Sequence, residues 1–150
     1  MPENVCFGCG SNHDGLQIKS FWDGEEAVCQ WISKEHFHGW RNLMNGGIMA
    51  TLIDCHCMGT AMADAYRRED REMDTLPEYR YATGTLTVKY LKPTPNDHVE
   101  LRARVTEVKG RKTTMKCDLI SSKGEVSATA DVIAIRVFEG NDDGSNPFKS

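Results

Sequence analysis

The chain has 150 residues, 39% of them hydrophobic, with a formal net charge of -4 and an isoelectric point near 5.7. This length suits one domain with an adequate core and no need of disulfides or metal to hold it together. The charge balance, without a dense Lys/Arg face, excludes a nucleic-acid partner.

The first twenty residues lack the basic start and apolar run of a secretory signal, and no later stretch is apolar enough to span a bilayer. The expected location is therefore cytoplasmic, with no membrane contact. In that reducing compartment the six cysteines (Cys6, Cys9, Cys29, Cys55, Cys57 and Cys117) read as thiols.

After a Gly-rich opening, Leu16 to Trp22 alternates apolar and polar residues, broken at Phe21, and Glu26 to Ser33 follows. Asp23-Gly24 between them predicts a type I′ hairpin. Lys34 to Asn45 has His36, His38, Trp40 and Gly39 but no period, and reads as a loop that covers the core or lines a pocket.

From Gly46 the pattern changes. Ile48, Leu52, Cys55, Met58, Met62 and Ala65 recur at steps of three and four, and the other faces are also apolar or small, which predicts a buried helix. The charged run after Ala65 carries the helix into solvent and ends it before Pro77.

The second half predicts strands. Ala82 to Tyr90, Val99 to Val105 and Thr113 to Leu119 alternate with period two, and Val126 to Phe138 is rich in Val, Ile and Ala. Lys109-Gly110 and Ser121 to Gly124 are hairpin turns, so these strands form an antiparallel meander. Two strands, one long helix and about four strands give an α+β fold, an antiparallel sheet wrapped around a central helix. Residues 1–138 form this single domain, and 139–150, with little to bury, form a frayed tail.

Asp54 sits inside the apolar helix, and no other Asp, Glu, Lys or Arg lies between Arg41 and Asp64. Either it faces a solvated edge or it has a task that repays an isolated carboxylate. Thr51 and Met58 share its face, and Gly47 lies two turns back. At the helix start, Asn45-Gly46-Gly47 allows close backbone approach to first-turn N–H groups that lack helical partners. Such a terminus can hold a carbonyl oxygen as it becomes an oxyanion, or it can be an ordinary tight turn.

The run Asn45-Gly46-Gly47-Ile48-Met49-Ala50-Thr51-Leu52-Ile53-Asp54 resembles the H-G-G-x-x-A-T-L-x-D motif of hotdog-fold thioesterases of the PaaI-like group. The resemblance extends from about Gly15 to Val137 in the order of elements, and Cys6-Phe7-Gly8-Cys9-Gly10 with Gly15-Leu16 is similar to the N-terminal segment of many members. It implies a hotdog fold and hydrolysis of an acyl-CoA or related acyl thioester. Asp54 would be the general base or nucleophile, Gly47 the source of the oxyanion N–H, and Gly46 part of the substrate's contact. Thr83, ten residues before Pro93, falls where relatives often carry a Ser or Thr that positions water; it also reads as a plain strand residue. Asn45 departs from the family's usual His: it can hydrogen-bond a carbonyl but cannot carry a proton.

One carboxylate and one helix terminus suffice for this chemistry, with no cofactor. In one straight helix, however, Asp54 lies about 10 Å along the axis from Gly47. The family resolves this with a homodimer, sometimes paired into a tetramer, and the same is expected here. Lys109, Arg111 and Lys112 around Gly110 are candidates for the CoA phosphates or simply a solvated hairpin end. Two alternatives stand beside this reading. Cys6-x2-Cys9-x3-His13 has zinc-like spacing, with further donors in Cys55-His56-Cys57. The hotdog fold also hosts non-catalytic acyl-CoA binders and dehydratases.

Overall fold

A computed structural model describes residues 4–141. In chain order the elements are β1 (Ser20–Asp23), β2 (Glu26–Ile32), a 3-10 turn (Glu35–Phe37), α1 (Gly46–Arg68), β3 (Glu78–Tyr90), β4 (His98–Lys109), β5 (Lys112–Ser121) and β6 (Val126–Gly140). The strands form one antiparallel sheet in the order β1-β2-β4-β5-β6-β3, and α1 lies against it, the hotdog arrangement.

The period-two alternation of the later strands is what builds the core. Val99, Leu101 and Ala103 of β4, Met115, Cys117 and Leu119 of β5, and Ala128, Ala130, Val132 and Ala134 of β6 all point inward and are buried. They meet one face of α1, formed by Met49, Leu52, Ile53, Cys57 and Ala61. The inward alanines of β6 leave room for that helix at native packing density. Truncating the fully buried Leu52 to Ala would cost about 2–5 kcal/mol.

Several boundaries differ from the sequence expectation. Leu16 and Ile18 are buried, but only Ser20–Asp23 is strand; the preceding residues are irregular chain, tied down by Trp31 Nε1 donating to the Leu16 carbonyl at 2.7 Å. Both two-residue hairpins are shifted by one position: Asp23 pairs with Glu26 and Lys109 with Lys112, so the turns are Gly24-Glu25 and Gly110-Arg111. Gly24 (φ +63°) and Gly110 (φ +57°) each take the first central position, as glycine does in a type II′ turn rather than the expected I′.

Helix α1 is not buried all round. Ile48, Thr51, Asp54, Cys55 and Met58 are half-buried, because in a single chain the sheet covers only one face. The helix ends at Arg68, with Arg67 and Arg68 at the negative end of its dipole.

The predicted meander holds for β4-β5-β6 only. β3 begins at Glu78, four residues before the expected start, and pairs with β6 at the far edge of the sheet rather than with β4. β6 continues to Gly140, two residues past the point where a tail is expected. Residues 142–150 of that stretch lie outside the described ones. No helix among the described residues is long and apolar enough to cross a membrane.

Candidate active site

The N-terminus of α1 is built by its cap. Asn45 has extended backbone, and its Oδ1 accepts hydrogen bonds from Gly47 N (2.8 Å) and Ile48 N (3.3 Å). This bears on the oxyanion assignment, since the Gly47 N–H is engaged by the Asn45 carboxamide in this conformation. A Cβ at Gly47 would sit 3.0 Å from that oxygen. Behind the terminus, the Tyr90 hydroxyl donates to the Gly46 carbonyl at 2.7 Å, and a Cβ on Gly46 would touch the Tyr90 ring at 3.5 Å. Tyr90 is a neighbour of the site that the sequence reading passed over as one more residue in a strand.

Two turns further along α1, Asp54 is half-buried and Thr83 Oγ1 donates to its Oδ1 at 2.6 Å. Thr83 belongs to the exposed part of β3, and the chain bulges beside it: Thr83 faces Ala134 and Thr85 faces Ile133, leaving Gly84 as the extra residue. Bulges re-aim neighbouring side chains. Glycine is needed here because a Cβ would lie 2.9 Å from Ile135 Cγ1 and 3.2 Å from the Ile133 carbonyl oxygen. Asp54 Oδ2 has no hydrogen-bond partner among the described residues. Thr51, on the same face, returns its hydroxyl proton to the Gly47 carbonyl at 2.9 Å.

The structure thus joins Asp54 to Thr83 and Asn45 to Gly47, but within one chain the two halves remain apart along the helix. The basic hairpin is elsewhere. Gly110 lines a cleft with Asp64, Arg68 and Arg136, toward the C-terminal end of α1. Lys109 pairs with Glu107 at 2.8 Å, and Arg111 donates to the Arg136 carbonyl at 2.6 Å. A cleft of about 480 Å3 lined by Trp22, Tyr66, Arg67, Arg71 and Met73 lies at that same end of the helix. In the loop before α1, Phe37 is buried against Trp31, the His36 ring meets Phe37 at a tilt, and Trp40 stands 81% exposed.

Of the proposed metal donors, Cys6, Cys9 and Cys55 converge, while His13 is exposed and outside the group. Cys55 beside Cys9, with help from Asn4, Cys6 and Lys19, pulls the Cys9 thiol down to about 5 against its partial burial. The Cys55 thiol is pushed far up by Cys9 and by burial. His56 and Cys57 point into the core instead. The His56 ring is wholly buried, with Nδ1 2.7 Å from Ser20 Oγ and Nε2 3.0 Å from the Ala27 carbonyl. Burial lowers its pKa to about 4, so the neutral ring donates from Nε2 and accepts at Nδ1, tying α1 to the β1-β2 hairpin.

Residues 41–128, more than half of the chain, match the family model of the thioesterase superfamily. Among solved structures, a thioesterase superfamily protein from Shewanella loihica PV-4 is 27% identical, with 90% of this chain and 96% of that chain covered and a TM-score of 0.67. The PaaI protein of E. coli, from the phenylacetic acid degradation operon, is 13% identical with 83% of each chain covered and a TM-score of 0.67. The BH2602 protein of Bacillus halodurans, determined with CoA, is 18% identical, covering 82% of this chain and 76% of that chain at a TM-score of 0.62. The last two likenesses are of fold. No curated protein matches the sequence.

Proposed function

The chain belongs to the thioesterase superfamily, and from that premise we propose that it hydrolyses an acyl-CoA to the free acid and CoA, with Asp54 as general base. The observation that carries this reading is the Thr83–Asp54 hydrogen bond. It fixes one carboxylate oxygen and leaves Oδ2 to take a proton from water. That water's oxygen attacks the thioester carbonyl carbon, the tetrahedral oxyanion collapses, the C–S bond breaks and the thiolate leaves. A thiolate is a good leaving group, so the chemistry asks of the protein only a base, an oriented water and donors for the oxyanion.

Those donors are the N–H groups opening α1. Rotation of the Asn45 carboxamide away from its capping position frees the Gly47 N–H and turns Asn45 Nδ2 into a second donor toward the carbonyl oxygen. Because Asp54 and Gly47 lie about 10 Å apart along one helix axis, the site is completed by a second copy of the chain. β3 supports this: it is a 13-residue edge strand, paired among the described residues with β6 alone and exposed from Ala82 to Thr85. A long unpaired edge is a template for strand addition. The CoA-containing relative supports CoA as the thiol half of the substrate.

The test is thiol release from a panel of straight-chain and aromatic acyl-CoAs, followed colorimetrically with wild type and Asp54→Asn. Turnover in wild type and its loss in the variant are expected. Tight binding of acyl-CoA by wild type without thiol release would mark the chain as a binder and overturn the reading.

A further inference from the structure

Thioester hydrolysis uses none of the three thiols gathered where the N-terminal segment meets α1. We propose that Cys6, Cys9 and Cys55 form a thiolate site for a soft divalent metal of the zinc class, which clamps that segment to the central helix.

The first argument is distance. The three Sγ atoms all lie within 4.8 Å of one another, and Cys6 Sγ is 3.8 Å from Cys55 Sγ. Zinc–sulfur bonds of about 2.3 Å in a tetrahedron put neighbouring sulfurs about 3.8 Å apart. The cluster is already near the spacing at which an ion would hold it.

The second argument is how the chain is bent to reach that spacing. Cys6 to Gly10 forms a tight knuckle, closed by the Gly10 N–H donating to the Cys6 carbonyl at 2.9 Å. A Cβ at position 8 would lie 2.2 Å from Cys55 Sγ, and one at position 10 would lie 2.3 Å from the Asn4 carbonyl oxygen and 2.5 Å from Cys6 N. Both glycines of Cys-Phe-Gly-Cys-Gly are thus required to let two thiols from the knuckle meet one from the helix.

The third argument is the second layer of hydrogen bonds. The Gly8 N–H points at Cys6 Sγ and Asn4 Nδ2 at Cys9 Sγ, each at 3.4 Å. Donors aimed at sulfur suit thiolates, which only accept, and metal-bound ligands are held in this way. Cys29, Cys57 and Cys117, by contrast, are fully buried in the apolar core, where Cys57 and Cys117 neighbour each other; burial raises the Cys29 thiol, and Cys57 together with burial raises that of Cys117.

His13, which completes the ligand spacing in the sequence, is not the fourth ligand; among the described residues no further His, Cys, Asp or Glu joins the three. Three protein ligands leave one position for water. Cys55 follows Asp54, but successive side chains diverge by about 100° around a helix. The metal therefore fixes the segment carrying Asp54 and does not touch the reacting carbonyl.

The decisive experiment is titration of the reduced, metal-stripped full-length chain with Co2+. Thiolate-to-cobalt charge-transfer absorption should rise to saturation at one ion per chain, disappear when Zn2+ is added, and be lost in Cys9→Ser. Protein purified without chelators should carry close to one equivalent of zinc. Absence of the band in wild type, its persistence in Cys9→Ser, or a Cys6–Cys55 disulfide with no bound metal in the purified protein would each overturn the proposal. The wild-type titration decides even where a variant folds poorly.

Discussion

Thr83 Oγ1 donates to Asp54 Oδ1 at 2.6 Å, joining the exposed edge strand β3 to the middle of α1. The bond holds the carboxylate in one orientation and leaves its other oxygen unpartnered among the described residues. If Asp54 is the base, Asp54→Asn keeps the shape of the side chain and its contact with Thr83 but cannot take a proton. The expected loss in kcat is about 10^2–10^4-fold, the range that general-base catalysis supplies, with Tm nearly unchanged because the residue is half-exposed. Retained turnover would end the assignment.

If Asp54 is the base, Thr83 acts through it as a positioning residue. Thr83→Val removes one hydrogen bond worth about 1.5 kcal/mol, a roughly tenfold loss in kcat at little change in KM. Thr83→Ser should restore the rate. A Val variant whose kcat matches wild type would reduce Thr83 to a strand residue that happens to face the helix.

Asn45 tests the cap separately from the chemistry. Asn45→Ala removes the acceptor for Gly47 N and Ile48 N and should cost about 1 kcal/mol of stability, visible as a lower Tm. Asn45→Asp keeps the acceptor and favours the helix dipole, so stability should be retained. It also sets a negative charge where the oxyanion is to form, so kcat should fall while Tm does not. If Asn45→Asp hydrolyses acyl-CoA at the wild-type rate, the oxyanion does not form at this terminus.

Much of this architecture is legible in the chain. The period-two runs of β4 and β5 place Val99, Leu101, Ala103, Met115, Cys117 and Leu119 inward as they stand in the core, and Asn45-Gly46-Gly47 marks the helix start. The beginning of β3 is obscured because the charges around it break the alternation, and the contacts that accommodate them are nearby in the chain but form only in the fold. Arg71 stacks over Tyr66 and Tyr79, and Arg80 pairs with Glu78 and Asp74. The place of β3 beside β6 is a non-local pairing that local periodicity does not encode. Thr83 is visible as a candidate, but the bulge at Gly84 beside it is not, because the bulge depends on the register with β6. Likewise, spacing suggests His13 as a metal donor, whereas the knuckle brings in Cys55 from the helix instead.

His56 gives the fold an acid-sensitive element. Folding holds its ring neutral, lowering the pKa from the usual 6.5 to about 4 through burial. Between these values the unfolded chain binds the proton and the folded chain does not, so stability rises with pH across that window. The contribution is fully present above about pH 6.5 and is lost on acidification toward pH 4, at most about 3 kcal/mol. Urea unfolding at pH 7 and pH 4.5 should show a larger loss for wild type than for His56→Gln, which does not titrate. An NMR titration placing the His56 pKa near 6.5 would contradict this.

The last prediction concerns the two halves of the site. Gly47→Pro removes the proposed oxyanion N–H at a first-turn position where proline is tolerated, so the helix should form. Loss of one such donor lowers kcat by about 10^2–10^3-fold. Asp54→Asn is expected to lose activity for a different reason, the missing base. If each site takes Asp54 from one subunit and the helix terminus from the other, a heterodimer of the two variants has one site with both defects and one with neither. Random reassortment of equal amounts makes half of the dimers mixed, so roughly a quarter of wild-type activity should return, the two sites of a two-fold dimer being equivalent. If each chain supplied both halves of its own site, every site in the mixture would carry one defect and no activity would return. Mixing after denaturation and refolding, with each variant refolded alone as the control, distinguishes the two outcomes.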